Sequence, residues 1–176
     1  MYSSLKIATT PMCEEIVKLA GISDYVVSIN PDSVNADIAV ILSETELSTK
    51  SIKIKLNTFT QINESIEMLS TKFGTNPLDY KKKNTDDAKF GENRKIKVRV
   101  YSNFLKEIVE DMGFEIVDYD YNFVVYPDYM KDKLINGIGD NIKVVEIPSH
   151  KNVPLEAIKR AEMRYNILEK DLCLKP

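Results

Sequence analysis

A strand, a polar turn, an amphipathic helix and a glycine follow one another twice in this chain, as KIATTPMCEEIVKLAG over residues 6–21 and as KVRVYSNFLKEIVEDMG over residues 97–113. That pairing constrains the fold more than any other feature. Gly21 and Gly113, Thr10 and Ser102, Ile16 and Ile108, and Ile66 and Ile158 are each 92 residues apart, the register an internal duplication leaves when only the loops drift. The pattern predicts an α/β protein of two pseudo-symmetric Rossmann-like lobes, residues 1–74 and 96–176, joined by a charged linker over 75–95.

Within the first copy the apolar run Leu5–Ala8 predicts a strand, Thr10 the helix N-cap, Pro11 the first helical position, and Gly21 the left-handed stop after about ten residues of helix. Strands are expected at Tyr25–Ile29, at the continuously apolar and therefore central Ala36–Leu42, and at Ile52–Leu56. In the last of these alternating lysines mark a wet face near an edge. A helix with Ile62, Ile66, Leu69 and Phe73 on its buried stripe closes the lobe at Gly74. The second lobe predicts strands at Val98–Tyr101, Glu115–Val117, Phe123–Tyr126 and Ile142–Ile147. It also predicts helices from Asn103 to Met112 and from about Pro154, the latter packing through Leu155, Ile158, Ala161, Tyr165, Leu168 and Leu172.

The hydrophobic fraction of 43% supports a real core. A net charge of −3 argues against nucleic acid as a partner, and Lys81–Lys83 reads as a solvated run in the linker. Two cysteines far apart form no disulfide framework or zinc array, and neither a membrane-length apolar run nor a signal-peptide layout is present. The expectation is a cytoplasmic protein that touches no membrane.

In open α/β sheets ligands gather where strand C-termini meet helix N-termini. That rule selects Thr9, Thr10, Ser43, Asn57, Thr58, Ser102, Asn103, Tyr129, Ser149 and His150 as candidate ligand-binding residues, converging on one cleft if the lobes face each other. The set is rich in hydroxyl and amide groups and poor in acid/base pairs, so it points to binding of a small molecule, an anion or a metal-containing cofactor. It identifies no metal ligands and no cofactor. Two alternatives stay open. One is an enzyme using Cys13, near a helix start, or His150, the single histidine; against it, Cys13 shares a stripe with Ile16, Val17 and Ala20 and reads as a small buried hydrophobe. The other is an assembly factor that binds a partner protein through Tyr119, Tyr121, Tyr126 and Tyr129, interleaved with Asp118, Asp120 and Asp128. No GxGxxG follows either first strand, so a standard dinucleotide fold is not indicated.

The first half, TTPMCEEIVKLAGISDYVV followed by NADIAVILSE and SIKIKLNTFTQINESIEMLSTKFG, resembles one lobe of the helical-backbone metal-receptor and chelatase-like families, with an echo over 97–165. The resemblance implies paired Rossmann-like lobes and a ligand such as cobalamin, a metal chelate or a metal ion. The segments Pro31–Asn35 and Asp118–Tyr121 are shorter than a full crossover helix needs, which leaves open whether each sheet is fully parallel or mixed, with some antiparallel pairing. Richness in lysine, isoleucine and asparagine without tryptophan looks like a low-GC archaeal or bacterial source.

Overall fold

The computed structural model describes residues 5–83, 91–134, 138–139 and 141–173. The chain divides into two compact units, Met1–Lys83 with Leu155–Lys159 and Asn84–Pro154 with Arg160–Pro176. Each is α/β and holds one four-stranded sheet.

In the first unit β1 (Ile7–Thr9), α1 (Glu14–Leu19), β2 (Tyr25–Val27), β3 (Ile38–Leu42), β4 (Ser51–Ile54) and α2 (Phe59–Phe73) build a sheet of order β2-β1-β3-β4. β3 is interior and its Ile38–Ile41 are buried, whereas β4 is an edge with Lys53 exposed between Ile52 and Ile54. On α2 the residues Ile62, Ile66 and Leu69 are buried. Its N-terminus is held by the Thr58 hydroxyl, which accepts from Gln61 N–H at 3.1 Å while the Gln61 side chain accepts from Asn57 N–H at 3.0 Å. This is a variant of the capping box, satisfying two backbone donors reciprocally.

The start of α1 differs from expectation. Thr10 is not the N-cap; its carbonyl accepts from Cys13 N–H at 3.0 Å, closing a tight turn over Pro11–Cys13, so Cys13 occupies the N-cap and the helix has 6 residues. The stop is at Gly21 with φ 79°. A Cβ there would lie 2.0 Å from the Asn76 carbonyl oxygen, because the chain after α2 folds back onto the end of α1. Leu78 N–H donates to Leu19 O at 2.8 Å and the Thr75 hydroxyl to Ala20 O at 2.5 Å, satisfying carbonyls that a helix end leaves unpaired.

In the second unit β5 (Lys97–Val100), α3 (Asn103–Asp111), β6 (Glu115–Ile116), β7 (Phe123–Pro127), α4 (Lys131–Leu134) and β8 (Lys143–Ile147) follow one another, and the sheet order is β6-β5-β7-β8; of α5 (Ala157–Leu172), the residues up to Lys159 belong to the first unit and those from Arg160 to the second. The order of the first sheet is thus reproduced, and Ile7 pairs with Tyr25 at the same sequence separation as Lys97 with Glu115.

Among the described residues every strand pair is parallel, which decides the question the short connections left open. The short crossovers suffice because the strands are short. Residues 28–37, about ten in extended chain, reach roughly 33 Å, whereas crossing β1 and returning along a strand of 3 residues takes about 20 Å. A single 3-10 turn at Pro31–Ser33 does what a full crossover helix does elsewhere.

Helix α5 starts later than Pro154. Leu155 precedes it and is exposed, Ile158 is half-buried, and the buried positions are Ala157, Arg160, Ala161, Arg164, Tyr165, Leu168 and Leu172. The Glu15 carboxylate accepts from Ile158 N–H at 3.0 Å, supplying a partner for a first-turn donor of this helix.

Of the expected linker, residues 84–90 lie outside the described residues. Residues 75–83 are held against the first unit. The Tyr80 hydroxyl donates to Asn63 Oδ1 at 3.1 Å, Asn63 Nδ2 to Lys83 O at 3.2 Å, and Lys82 pairs with Glu67 at 2.5 Å.

Candidate functional site

Because each sheet is wholly parallel, the C-terminal ends of its four strands lie on one edge of its unit, and the candidate residues distribute along these two edges. In the first unit Thr9 is fully buried and its hydroxyl donates to Val40 O at 3.0 Å, tying the end of β1 to β3. Thr58 is spent on the cap of α2. Thr10 and Asn57 are half-buried, and Ser43 donates to its neighbour Glu44 at 3.0 Å.

In the second unit Ser102 caps α3, accepting from Leu105 N–H at 3.4 Å, and Asn103 is exposed on the first turn. The strand-end cluster proper lies after β7 and β8. Pairing of Pro127 with Ile147 sets Asp128 beside Pro148 and Ser149. Asp128 Oδ1 then accepts from the Ser149 hydroxyl at 2.5 Å, from Ser149 N–H at 3.2 Å and from Tyr129 N–H at 3.0 Å. Burial works against ionisation of Asp128. The Ser149 hydroxyl, the two N–H groups and nearby His150 together outweigh it and hold the carboxyl below its ordinary range.

One arginine absent from the sequence-based candidates, Arg164, joins this cluster, and a second, Arg160, lies beside it on the same helix. Arg164 is 4% exposed and Arg160, one turn earlier on α5, is 2% exposed. Arg164 donates from Nε to Pro148 O at 3.1 Å and from Nη2 to Ser149 O at 2.5 Å, and its guanidinium lies 4.9 Å from the centre of the Phe104 ring. Burial, and then the like charge of Arg160, push the Arg164 guanidinium down to about 10, so it remains charged at neutral pH at a cost in stability. Arg160 donates from Nη1 to Pro154 O at 3.0 Å. The spacing of the two arginines, with Ala157 and Ala161 beside them, was the available signal. It reads as a wet face unless the helix is known to be buried on that side.

The remaining candidates differ in exposure. His150 is exposed, and Cys13 is 0% exposed, which removes it as an accessible nucleophile. The tyrosines form no single patch: Tyr119 and Tyr129 are exposed, Tyr126 is buried with its hydroxyl donating to Glu146 at 3.0 Å, and Tyr121 flanks Arg99 together with Tyr101. A pocket of about 340 Å³ in the first unit is lined by Glu14, Lys18, Ile22, Tyr25 and Leu78. None of the candidate residues borders it. Among the described residues no three His, Cys, Asp or Glu side chains cluster so as to hold a metal ion.

No family model matches the chain, and no curated protein matches it. Solved structures do. A Zn(II)-bound variant of AdcAII from Streptococcus pneumoniae aligns with a TM-score of 0.53 at 10% identity, covering 96% of this chain and 98% of that one. The laminin binding protein Lmb of Streptococcus agalactiae, described as an adhesin with metal transporting activity, aligns at 0.54 with 9% identity, covering 97% and 100%. The metal-dependent lipoprotein YcdH of Bacillus subtilis aligns at 0.50 with 9% identity, covering 96% and 100%. The chain shares their fold. The likeness stops there, since the described residues offer no side-chain donor set that fits a bare metal ion, and the whole chain has one histidine.

Proposed function

We propose that this protein binds a small anionic molecule at the C-terminal strand ends of its sheets. The observation that carries the reading is the parallel order of both sheets, which in each unit gathers the hydroxyl-bearing strand-end loops on one edge. In the second unit that edge also holds the buried guanidinium of Arg164, bonded to the carbonyls of Pro148 and Ser149. Buried cations favour an anion over a bare metal ion. Thr9 and Thr58 act as structural supports, while Thr10, Ser43, Asn57, Asn103, Tyr129 and His150 remain the groups with surface to offer a ligand.

A second reading, capture of a metal ion or a metal-containing cofactor, is favoured by the fold shared with metal-binding proteins. Calorimetric titration of freshly purified protein with inorganic phosphate, short carboxylates and Zn(II), together with its native mass and absorbance, separates the two. A saturable anion isotherm with no zinc isotherm is the expected result, and a stoichiometric zinc site without anion binding would sink it. The identical strand order of the two sheets supports descent from a duplicated lobe with boundaries near residues 74 and 96. Two cysteines that form no disulfide support a reducing, cytoplasmic setting. Among the described residues no helix is long and apolar enough to cross a membrane.

A further inference from the structure

We propose that Arg164 is the anion anchor of the second unit, its Nη1 side receiving one small oxyanion, a carboxylate or a phosphate, at the C-terminal ends of β7 and β8. This rests on the anion-binding reading and narrows it to one group. A guanidinium carries five N–H donors in a rigid plane, and Arg164 commits one edge of that plane, Nε and Nη2, to the carbonyls of Pro148 and Ser149. Phe104 covers the ring-facing side. Nη1 has no partner among the described residues. Since none of them has a buried side-chain nitrogen or oxygen left unsatisfied, Nη1 opens to solvent although the residue is 4% exposed.

The arrangement is hard to explain as a structural pin alone. The nearest means of offsetting a buried guanidinium is a carboxylate, and Asp128 is close by. Yet its Oδ1 is turned to Ser149 and to Tyr129 N–H, and no Arg164–Asp128 ion pair forms. Asp128 thus orders the loop that presents the Ser149 carbonyl to Arg164, and the positive charge of Arg164 stays available. Arg160, buried one turn earlier on the same helix, adds its like charge to the field at Arg164. An incoming oxyanion would meet a fork already locked by two carbonyls and a ring, so little side-chain entropy is lost on binding.

The test follows the side-chain N–H resonances of Arg164 in the 15N-labelled full chain during titration with sodium phosphate and, separately, sodium acetate. Ionic strength is held constant with chloride, and the resonances are assigned by through-bond correlation to the Arg164 backbone in 13C,15N-labelled protein. The expected result is a saturable shift of the Arg164 resonances with phosphate or acetate and none with chloride, and binding at least tenfold weaker in Arg164→Lys, which keeps the charge and loses the fork. Should that variant not fold, the titration of the unaltered protein stands by itself. Saturable shifts confined to other residues would overturn the assignment to Arg164 and leave the anion-binding reading standing. The absence of any saturable shift in the chain would overturn both.

Discussion

At the scale of single residues, burial decides which of the conspicuous side chains can act. Cys13 is 0% exposed, whereas Cys173 is half-buried with its thiol 3.3 Å from Asn93 Oδ1. Alkylation at neutral pH followed by peptide mass mapping should therefore label Cys173 first and leave Cys13 unmodified until the protein unfolds; preferential labelling of Cys13 would contradict its placement. Tyr126 offers a pH test. Burial, and then the hydrogen bond to the Glu146 carboxylate, raise its hydroxyl to about 12, above the ordinary value of 10.0. The folded state holds that proton longer than the unfolded one, so the resulting stability is present below pH 10 and is lost as pH rises toward 12. Denaturant titrations between these pH values should show a steeper loss in the unaltered protein than in Tyr126→Phe.

At the scale of elements, the two glycine stops look alike in sequence and differ in what surrounds them. Gly21 has φ 79° and Gly74 φ 66°, both left-handed, so each alanine substitution carries a backbone cost of roughly 1–2 kcal/mol. Gly74 has open space around it, and Gly74→Ala should lose about that much. At Gly21 the new Cβ would sit 2.0 Å from the Asn76 carbonyl oxygen, and moving Asn76 would loosen the bonds from Leu78 N–H and Thr75 Oγ1 that close the end of α1. Gly21→Ala should cost at least about 3 kcal/mol. Urea melts of the two variants check the contrast, and equal losses would mean that the 75–78 segment is not held against α1.

At the scale of the whole molecule, the two sheets share one strand order and one parallel sense, and the fold is that of metal-binding proteins. Folds persist while sites change, so the fold alone does not supply the ligand. If no side-chain metal centre contributes to the native state, a chelator has nothing to withdraw. EDTA in excess should then leave the thermal midpoint unchanged, and a fall of several degrees on chelation would restore the metal reading.

The strand-turn-helix-glycine units, the interior place of β3, the edge character of β4 and the stop glycines were legible in the sequence. All of them follow from local periodicity and from backbone preferences that a residue carries with it. Three things were decided by the tertiary structure. The parallel sense of every pair depended on strand length against crossover reach, which the residue pattern does not state. The tight turn at Pro11–Cys13 replaced the expected cap at Thr10 because the Thr10 carbonyl closes that turn with Cys13 N–H. The burial of Arg160 and Arg164 arose because α5 is covered on a face whose composition reads as wet, and only long-range packing determines which side of a helix meets a neighbour.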